Sequence, residues 1–302
     1  MNAYFKAMRL GRWPRSFVFL IGSAAFFFLY RDTIYSFNII WFLWRSTLAF
    51  FLTWGISTAN YIVNEIADAP YDLHHPTKRH RPLAKGEVKK GPLLLMGIIL
   101  ILLCFALAFA FYGQAFFLSL FVLLLAGFIY NIKPIRTKDI PFLDSISESA
   151  NNPVRFFIGW YAFSPLHLLP PVSLLLSWWA FGNFLLVAKR LSEFRLLKEK
   201  AGDYRSSLRK YSGNSLLFGM FISAVVFFVT YFYFAAIFKL QYFFYLSPFV
   251  IFYLFLFFRK TIREKEVMEE PETLLKNPKF AIYTIFLILV FILSAFMDKI
   301  NQ

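Results

Sequence analysis

Apolar residues in this chain fall in nine long runs, at approximately 16–30, 40–66, 92–111, 114–130, 144–163, 174–193, 215–237, 242–258 and 280–297. A helix needs about 20 apolar residues to cross about 30 Å of hydrocarbon. The pattern therefore predicts an all-α integral membrane protein with nine transmembrane helices. Arg9, Arg12 and Arg15 precede the first run as they would in a signal peptide. No small-residue cleavage site follows, so the run reads as a retained first helix. Two connections stand out for their density of charged and hydroxyl residues, 67–91 and 189–214, each after an even-numbered run. Their placement suggests one membrane-embedded domain over 1–302, built from pseudo-repeat halves at 16–130 and 144–258 with 280–297 added. Both loops would then lie over one central cavity open to the cytoplasm.

Composition removes the soluble alternative: 59% of residues are hydrophobic and 22% aromatic, with a mean hydropathy of +0.58. Most of the 42 Phe are expected to be lipid-facing bulk. Only 16% of residues are charged, yet 32 Lys and Arg stand against 17 Asp and Glu. In a nine-helix arrangement with the N-terminus inside, only Arg31, Arg45, Lys239 and Lys299 fall outside. Short basic loops stay cytoplasmic, which puts the N-terminus and both charged loops on that side. A nucleic-acid partner is not expected, because the charges are scattered between apolar runs and form no soluble basic face. The single cysteine, Cys104, allows neither an intramolecular disulfide nor a thiolate cluster.

Candidate chemistry is densest in NEIADAPYD at 64–72, where Asn64, Asp68 and Asp72 recur every four residues and share a helix face. Asn60 extends the row inward and Glu65 sits beside it. Amide and carboxylate oxygens in one stripe suit Mg²⁺, although a polar helix end meeting water would look similar. Pro70 removes a backbone donor and should kink or end the helix, making Asp72 the less regular ligand. Next comes HHPTKRHRPLAKGEV at 74–88, with Lys78, Arg79, Arg81 and Lys85. A positive-inside signal accounts for these bases but not for the adjacent acids, whereas a diphosphate with its metal uses both. His74, His75 and His80 read as loop residues.

Asp144, Glu148, Asn151 and Arg155 form a second polar stripe along the fifth run, at a depth where ionisable groups usually face a cavity. The alternative is that partners on neighbouring helices hold Glu148 and Arg155 for packing. The turn before it carries Tyr130, Lys133, Arg136 and Lys138, a set able to hold a phosphate. After the sixth run, VAKRLSEFRLL brings Lys189, Arg190 and Glu193, and DYRSSLRKYS brings Arg205, Arg209, Lys210 and Tyr211.

The Asn64–Asp72 pattern with its basic Arg-Pro segment resembles the first signature of the UbiA superfamily of intramembrane prenyltransferases. MRLGRWPRSF at 8–17 and the turn beginning YNIK at 130 carry the resemblance further. Glu65 departs from the family's usual Asp. The resemblance implies a Mg²⁺-dependent membrane transferase in which Asn64, Asp68 and Asp72 hold metal and act in catalysis with Arg81. It implies a substrate-binding set of Asn60, Lys78, Arg79, Tyr130, Lys133, Asp144, Glu148, Asn151, Arg155, Lys189, Arg190 and Glu193. The family's second Asp-rich motif is missing after the sixth run, where a basic pair stands instead. The combination of HPTKRHRP with an AKRLSE-type segment is most similar to the decaprenyl-phosphate phosphoribosyltransferase branch, which implies phosphoribosyl transfer from phosphoribosyl pyrophosphate to a polyprenyl phosphate. Lys189 and Arg190 would hold the acceptor phosphate, and the setting would be a prokaryotic plasma membrane. The polar fifth run is richer than that branch leads one to expect. Two alternatives stand beside this one: a conventional prenyltransferase moving a prenyl group from its diphosphate to an aromatic or other acceptor, and a non-catalytic lipid or ion transporter.

Overall fold

The computed structural model describes residues 3–30, 38–73, 78–165, 168–263 and 277–300, and all regular structure among them is helical. Arg31, His74 and His75 lie outside these residues, as does the Lys78 side chain. The helices are α1 (Ala3–Ala7), α2 (Phe19–Tyr30), α3 (Ile39–Asp72), α4 (Lys90–Phe111), α5 (Gln114–Asn131), α6 (Leu143–Ser149) and α7 (Asn151–Tyr161). They continue with α8 (Val172–Leu197), α9 (Ala201–Tyr204), α10 (Gly213–Ile237), α11 (Gln241–Arg263) and α12 (Pro278–Ile300). Eight helical stretches among the described residues are long and apolar enough to cross a membrane. Large apolar side chains are bare to a degree only hydrocarbon suits, with Phe109 81% and Ile40 75% exposed. The chain is an integral membrane protein.

Eight of the nine expected crossings correspond to these stretches; the fifth, 144–163, does not. It is broken at Ala150 into α6 and α7. Pro153 explains the break: it cannot donate to the carbonyl four residues back, at Ser149, and its ring crowds that carbonyl. As the third residue of α7 the same proline costs nothing, because the first N–H groups of a helix have no internal partner. Two other boundaries moved the other way. Helix α3 runs through Pro70 to Asp72, and α8 runs to Leu197, so charged residues expected in loops are on helices.

The chain forms two compact units, one of residues 1–138 and 150–170, the other of 139–149 and 171–302. In the first unit, α2 lies against α7, and α3 against α4 and α5. Glycines set the closeness of these pairs. A methyl group at Gly159 would overlap the Phe19 carbonyl, and the Ser23 hydroxyl donates to the Gly159 carbonyl at 2.9 Å. Small residues at such crossings let helix backbones touch. Gly159→Val should therefore cost about 2–3 kcal/mol, as overpacking does. Gly91→Ala, where added volume meets nothing within 4 Å, is the neutral control. Thermal unfolding in detergent checks both.

Arg45 ties three helices of this unit. Its Nε donates to Ala162 O at 2.6 Å and its Nη1 to Phe111 O at 3.2 Å, satisfying carbonyls at the ends of α7 and α4. The guanidinium also lies 4.4 Å from the centroid of the Tyr112 ring. In the second unit, α8 and α10 pack along their lengths, joined by Ser177 to Thr230 at 2.8 Å and by Asn183 Nδ2 to Ser223 Oγ at 2.9 Å. Asp298 of α12 accepts from the Tyr242 and Phe243 N–H groups at the start of α11, a favourable place for an anion.

Candidate active site

The last three turns of α3 carry the acid row, and the i, i+4 spacing keeps it on one face. Asp68 is the most engaged. Its Oδ1 accepts from Arg136 Nη2 at 3.0 Å and from Lys138 Nζ, and its Oδ2 lies 3.7 Å from Arg81 Nη1. Asp72 is 4% exposed and its Oδ2 accepts from the same Arg81 nitrogen at 2.6 Å. Arg81 thus spans the two carboxylates. Asn64 has its amide fixed at both ends: Nδ2 donates to Asn131 Oδ1, and Oδ1 accepts from Arg9 Nη2 at 3.2 Å. Asn131 Oδ1 also accepts from Lys138 Nζ at 2.9 Å, closing a continuous polar network from Arg9 to Asp72.

Glu65 belongs to the frame of this site and not to its ligand row. It is 1% exposed, and its two oxygens accept from Arg9 Nη2 at 3.2 Å and from Leu83 N at 3.5 Å. The N-terminal segment and the 81–89 loop are thereby fastened to α3. Ala7, Ile62, Val88 and Leu93 make a small core beneath them, and Tyr4 Oη accepts from Lys89 N at 3.3 Å. Arg9 itself has φ 52, a left-handed conformation uncommon outside glycine, which its side-chain bonds help to hold.

The other expected residues of this unit are spread more widely. Asn60 donates to Leu123 O at 2.8 Å and its amide rests against Gly127, where any side chain would collide with it. That is a packing contact of α3 on α5. Arg79 is exposed and donates to His80 at 3.4 Å. Lys133 is exposed, with its Nζ 5.6 Å from the Tyr71 ring centroid, and Arg136 lies 4.8 Å from the same ring. Tyr130 is half-buried near the end of α5. Arg155 donates to Ser57 Oγ at 3.4 Å, and Asn151 is half-buried in the first turn of α7.

The second polar stripe is not one helix face. Asn151 and Arg155 are on α7 in the first unit, whereas Asp144 and Glu148 are on α6 in the second. There Arg190, 0% exposed, draws three carboxylates together. Its Nε donates to Asp144 Oδ2 at 2.8 Å, its Nη2 to Glu148 Oε2 at 2.9 Å, and its Nη1 to Glu193 Oε2 at 3.1 Å. Donors expected to meet an acceptor phosphate are committed to acids. Asp144 also receives Ser207 Oγ at 3.0 Å and Tyr211 Oη at 2.6 Å, so this one carboxylate anchors the segment after α9. Burial and the neighbouring Asp144 both push the Tyr211 phenol upward, which keeps it a proton donor. Lys189 is buried on α8, at 8% exposure.

Sequence reasoning missed Arg9 and Asn131 as parts of the acid-row network. Asn131 stood within the YNIK turn and was recoverable as a neighbour of Lys133. Arg9 stood within MRLGRWPRSF at 8–17, but 55 residues separate it from Asn64 and nothing in the spacing pairs the two.

Oxygen donors of this kind fit Mg²⁺. Among the described residues no three His, Cys, Asp or Glu side chains converge as a metal cage. Mg²⁺ rarely needs one, being commonly held by one or two carboxylates together with waters and substrate phosphates. Asp68 and Asp72 already face one cationic nitrogen, at 3.7 Å and 2.6 Å.

Comparison with known proteins agrees with this architecture. The decaprenyl-phosphate phosphoribosyltransferase of Corynebacterium glutamicum is 29% identical over 184 residues, 58% of this chain and 51% of that protein. The enzyme of the same name from Mycobacterium tuberculosis is 25% identical over 189 residues, 62% of this chain and 60% of its own. The match thus spans between half and three-fifths of these relatives. A UbiA homolog from Archaeoglobus fulgidus, solved bound to GPP and Mg²⁺, superposes with a TM-score of 0.69 at 16% identity, covering 98% of this chain and 99% of that one. The fold is therefore UbiA-like. The UbiA prenyltransferase family itself matches residues 17–285. That match makes a membrane transferase of the chain and sets aside the non-catalytic transporter: the protein belongs to the UbiA prenyltransferase family.

Proposed function

We propose that the protein transfers a phosphoribosyl group from phosphoribosyl pyrophosphate to a polyprenyl phosphate, with Mg²⁺, and releases diphosphate. The observation that carries this reading is the state of the acids on α6 and α8. Asp144 and Glu193 are closed off with the wholly buried Arg190, whereas the α3 row is held in part by Arg81, 23% exposed and able to leave, which favours the α3 row as the metal-diphosphate site. A single acidic row, with Lys189 and Arg190 standing in the sequence where the family's second acidic motif would be, suits two phosphorylated substrates better than one prenyl diphosphate and an uncharged acceptor. Similarity to enzymes named for this reaction supports it as well.

In this mechanism an ionised oxygen of the polyprenyl phosphate attacks the anomeric carbon of the donor. The bond from that carbon to the diphosphate oxygen breaks, and its electron pair leaves with the diphosphate. No general base is needed, because the attacking phosphate is already deprotonated. Arg81, Arg136 and Lys138 donate to the diphosphate oxygens as charge builds on them, the effect usually largest in such a step. Asp68 and Asp72, with Asn64, would hold Mg²⁺, which neutralises the leaving group further when bound. Glu65 and Arg9 keep Asn64 oriented. Lys189 is the proposed counterion for the acceptor phosphate, and Arg190 fixes the acids around it. The N-terminus and the 73–89 loop are assigned to the cytoplasmic side by the basic-residue bias, and the membrane to a prokaryotic plasma membrane by the similarity to bacterial phosphoribosyltransferases.

Prenyl transfer is the second reading, favoured by the GPP bound to the Archaeoglobus homolog. Diphosphate release separates the two. Purified protein with Mg²⁺ is given phosphoribosyl pyrophosphate and polyprenyl phosphate in one assay, and prenyl diphosphate with aromatic acceptors in another. Acceptor-dependent release is expected in the first. Release confined to the second would replace phosphoribosyl transfer with prenyl transfer.

A further inference from the structure

Three cations meet two carboxylates at the α3 row. Arg136 and Lys138 sit on Asp68, and Arg81 spans Asp68 and Asp72, so these five groups together carry a net positive charge before any ligand arrives. Neighbouring cations add to it. Arg9 approaches Asn64, its own charge met by Glu65, and Arg12 lies 5.4 Å from the Tyr61 ring beside it. Lys133 adds a further positive group over Tyr71. A free divalent cation entering between Asp68 and Asp72 would have to displace Arg81 and would meet the like charges of Arg136 and Lys138. The Mg²⁺ complex of a diphosphate is net anionic, and it brings acceptor oxygens that the displaced guanidinium can bond.

We infer that Arg81 is a built-in placeholder for the metal: it occupies the two carboxylates until a metal-diphosphate arrives, then passes from Asp72 to the diphosphate, so that metal and diphosphate bind together and free metal binds poorly. The inference rests on the α3 row being the metal-diphosphate site of the proposed function, but not on which group the diphosphate carries. Geometry favours the exchange. The Arg81 nitrogen lies 2.6 Å from Asp72 and 3.7 Å from Asp68, where a shared cation belongs. Its side chain is 23% exposed against 5% for Asp72, so the guanidinium can leave while the acid stays. The loop that carries it is held by Leu83 on Glu65 and by Lys89 on Tyr4, so exchange needs a side-chain movement and no unfolding of the loop.

Mn²⁺, followed by its electron paramagnetic resonance signal, and inorganic diphosphate are the probes. Full-length protein in detergent should bind Mn²⁺ weakly alone and at least about tenfold more tightly once diphosphate is added, since cooperativity of that size needs only a modest charge interaction. Arg81→Gln frees the carboxylates. It should tighten binding of Mn²⁺ alone by about tenfold while weakening the joint binding by a similar factor. Arg81→Lys, which keeps the charge, should stay near the parent in both and shows that a folded protein is being measured. Equal affinity for Mn²⁺ with and without diphosphate overturns the inference, and so does an Arg81→Gln protein whose affinity for Mn²⁺ alone is unchanged. Absence of Mn²⁺ binding under both conditions overturns it by removing the metal site. The phosphoribosyl reading fails separately, in the release assay, because inorganic diphosphate carries neither a ribosyl nor a prenyl group.

Discussion

Asp68→Asn should lower acceptor-dependent diphosphate release by about 10³-fold or more, the scale on which removing one electrostatic group from a preorganised site is felt. The change keeps the size and one acceptor oxygen of the side chain but removes its charge. Arg136, Lys138 and Arg81 then lose the carboxylate they converge on, while α3 keeps the contacts with α4 and α5 that fold it. Release of diphosphate by the variant, with elution on size-exclusion as the folding control, is the measurement. Undiminished release from a monodisperse Asp68→Asn protein would remove the acid row from the chemistry. Asp72→Asn should be milder, since Asp72 is the more buried of the two acids, 5% against 15%, and Asp68 is where Arg136, Lys138 and Arg81 converge.

How much of this was legible depends on what the pattern of residues can encode. Eight of nine apolar runs became spanning stretches because hydrocarbon thickness leaves a chain little choice. The four-residue spacing of Asn64, Asp68 and Asp72 survived because a helix face is a local property. Boundaries were less readable. A hydropathy pattern stops at the first charged residues, so it ended α3 near 66 and α8 near 193, although both helices continue beyond. Pro153 had the opposite effect: one residue in an apolar stretch hardly changes hydropathy, yet it split the fifth run and divided a four-residue stripe between two units. Partnership was the least visible property. Arg81 and Arg190 look alike in sequence, each an Arg near acids and phosphate chemistry. The structure gives Arg81 two carboxylates and partial exposure, and Arg190 three carboxylates and none.

Arg190→Ala should accordingly destabilise the protein by about 3–5 kcal/mol or more, the range for removing one partner of a buried ion pair. Asp144 and Glu193 are 0% and 1% exposed, and neither could recover water without the helices α6 and α8 parting. Ser207 and Tyr211 would still donate to Asp144, but Arg205 lies 3.8 Å from both Asp144 and Glu193, too far to take the place of Arg190. The expected result is loss of folded protein from the detergent extract, seen as aggregation on size-exclusion and a collapse of the thermal transition. Arg190→Lys should lie between, because one ammonium keeps the charge but cannot reproduce the planar fork that reaches three carboxylates. An acceptor-phosphate ligand would behave otherwise, leaving a stable protein with a raised KM for the polyprenyl phosphate. A folded Arg190→Ala protein with that kinetic signature would return Arg190 to the substrate and make its carboxylates the frame that aims it.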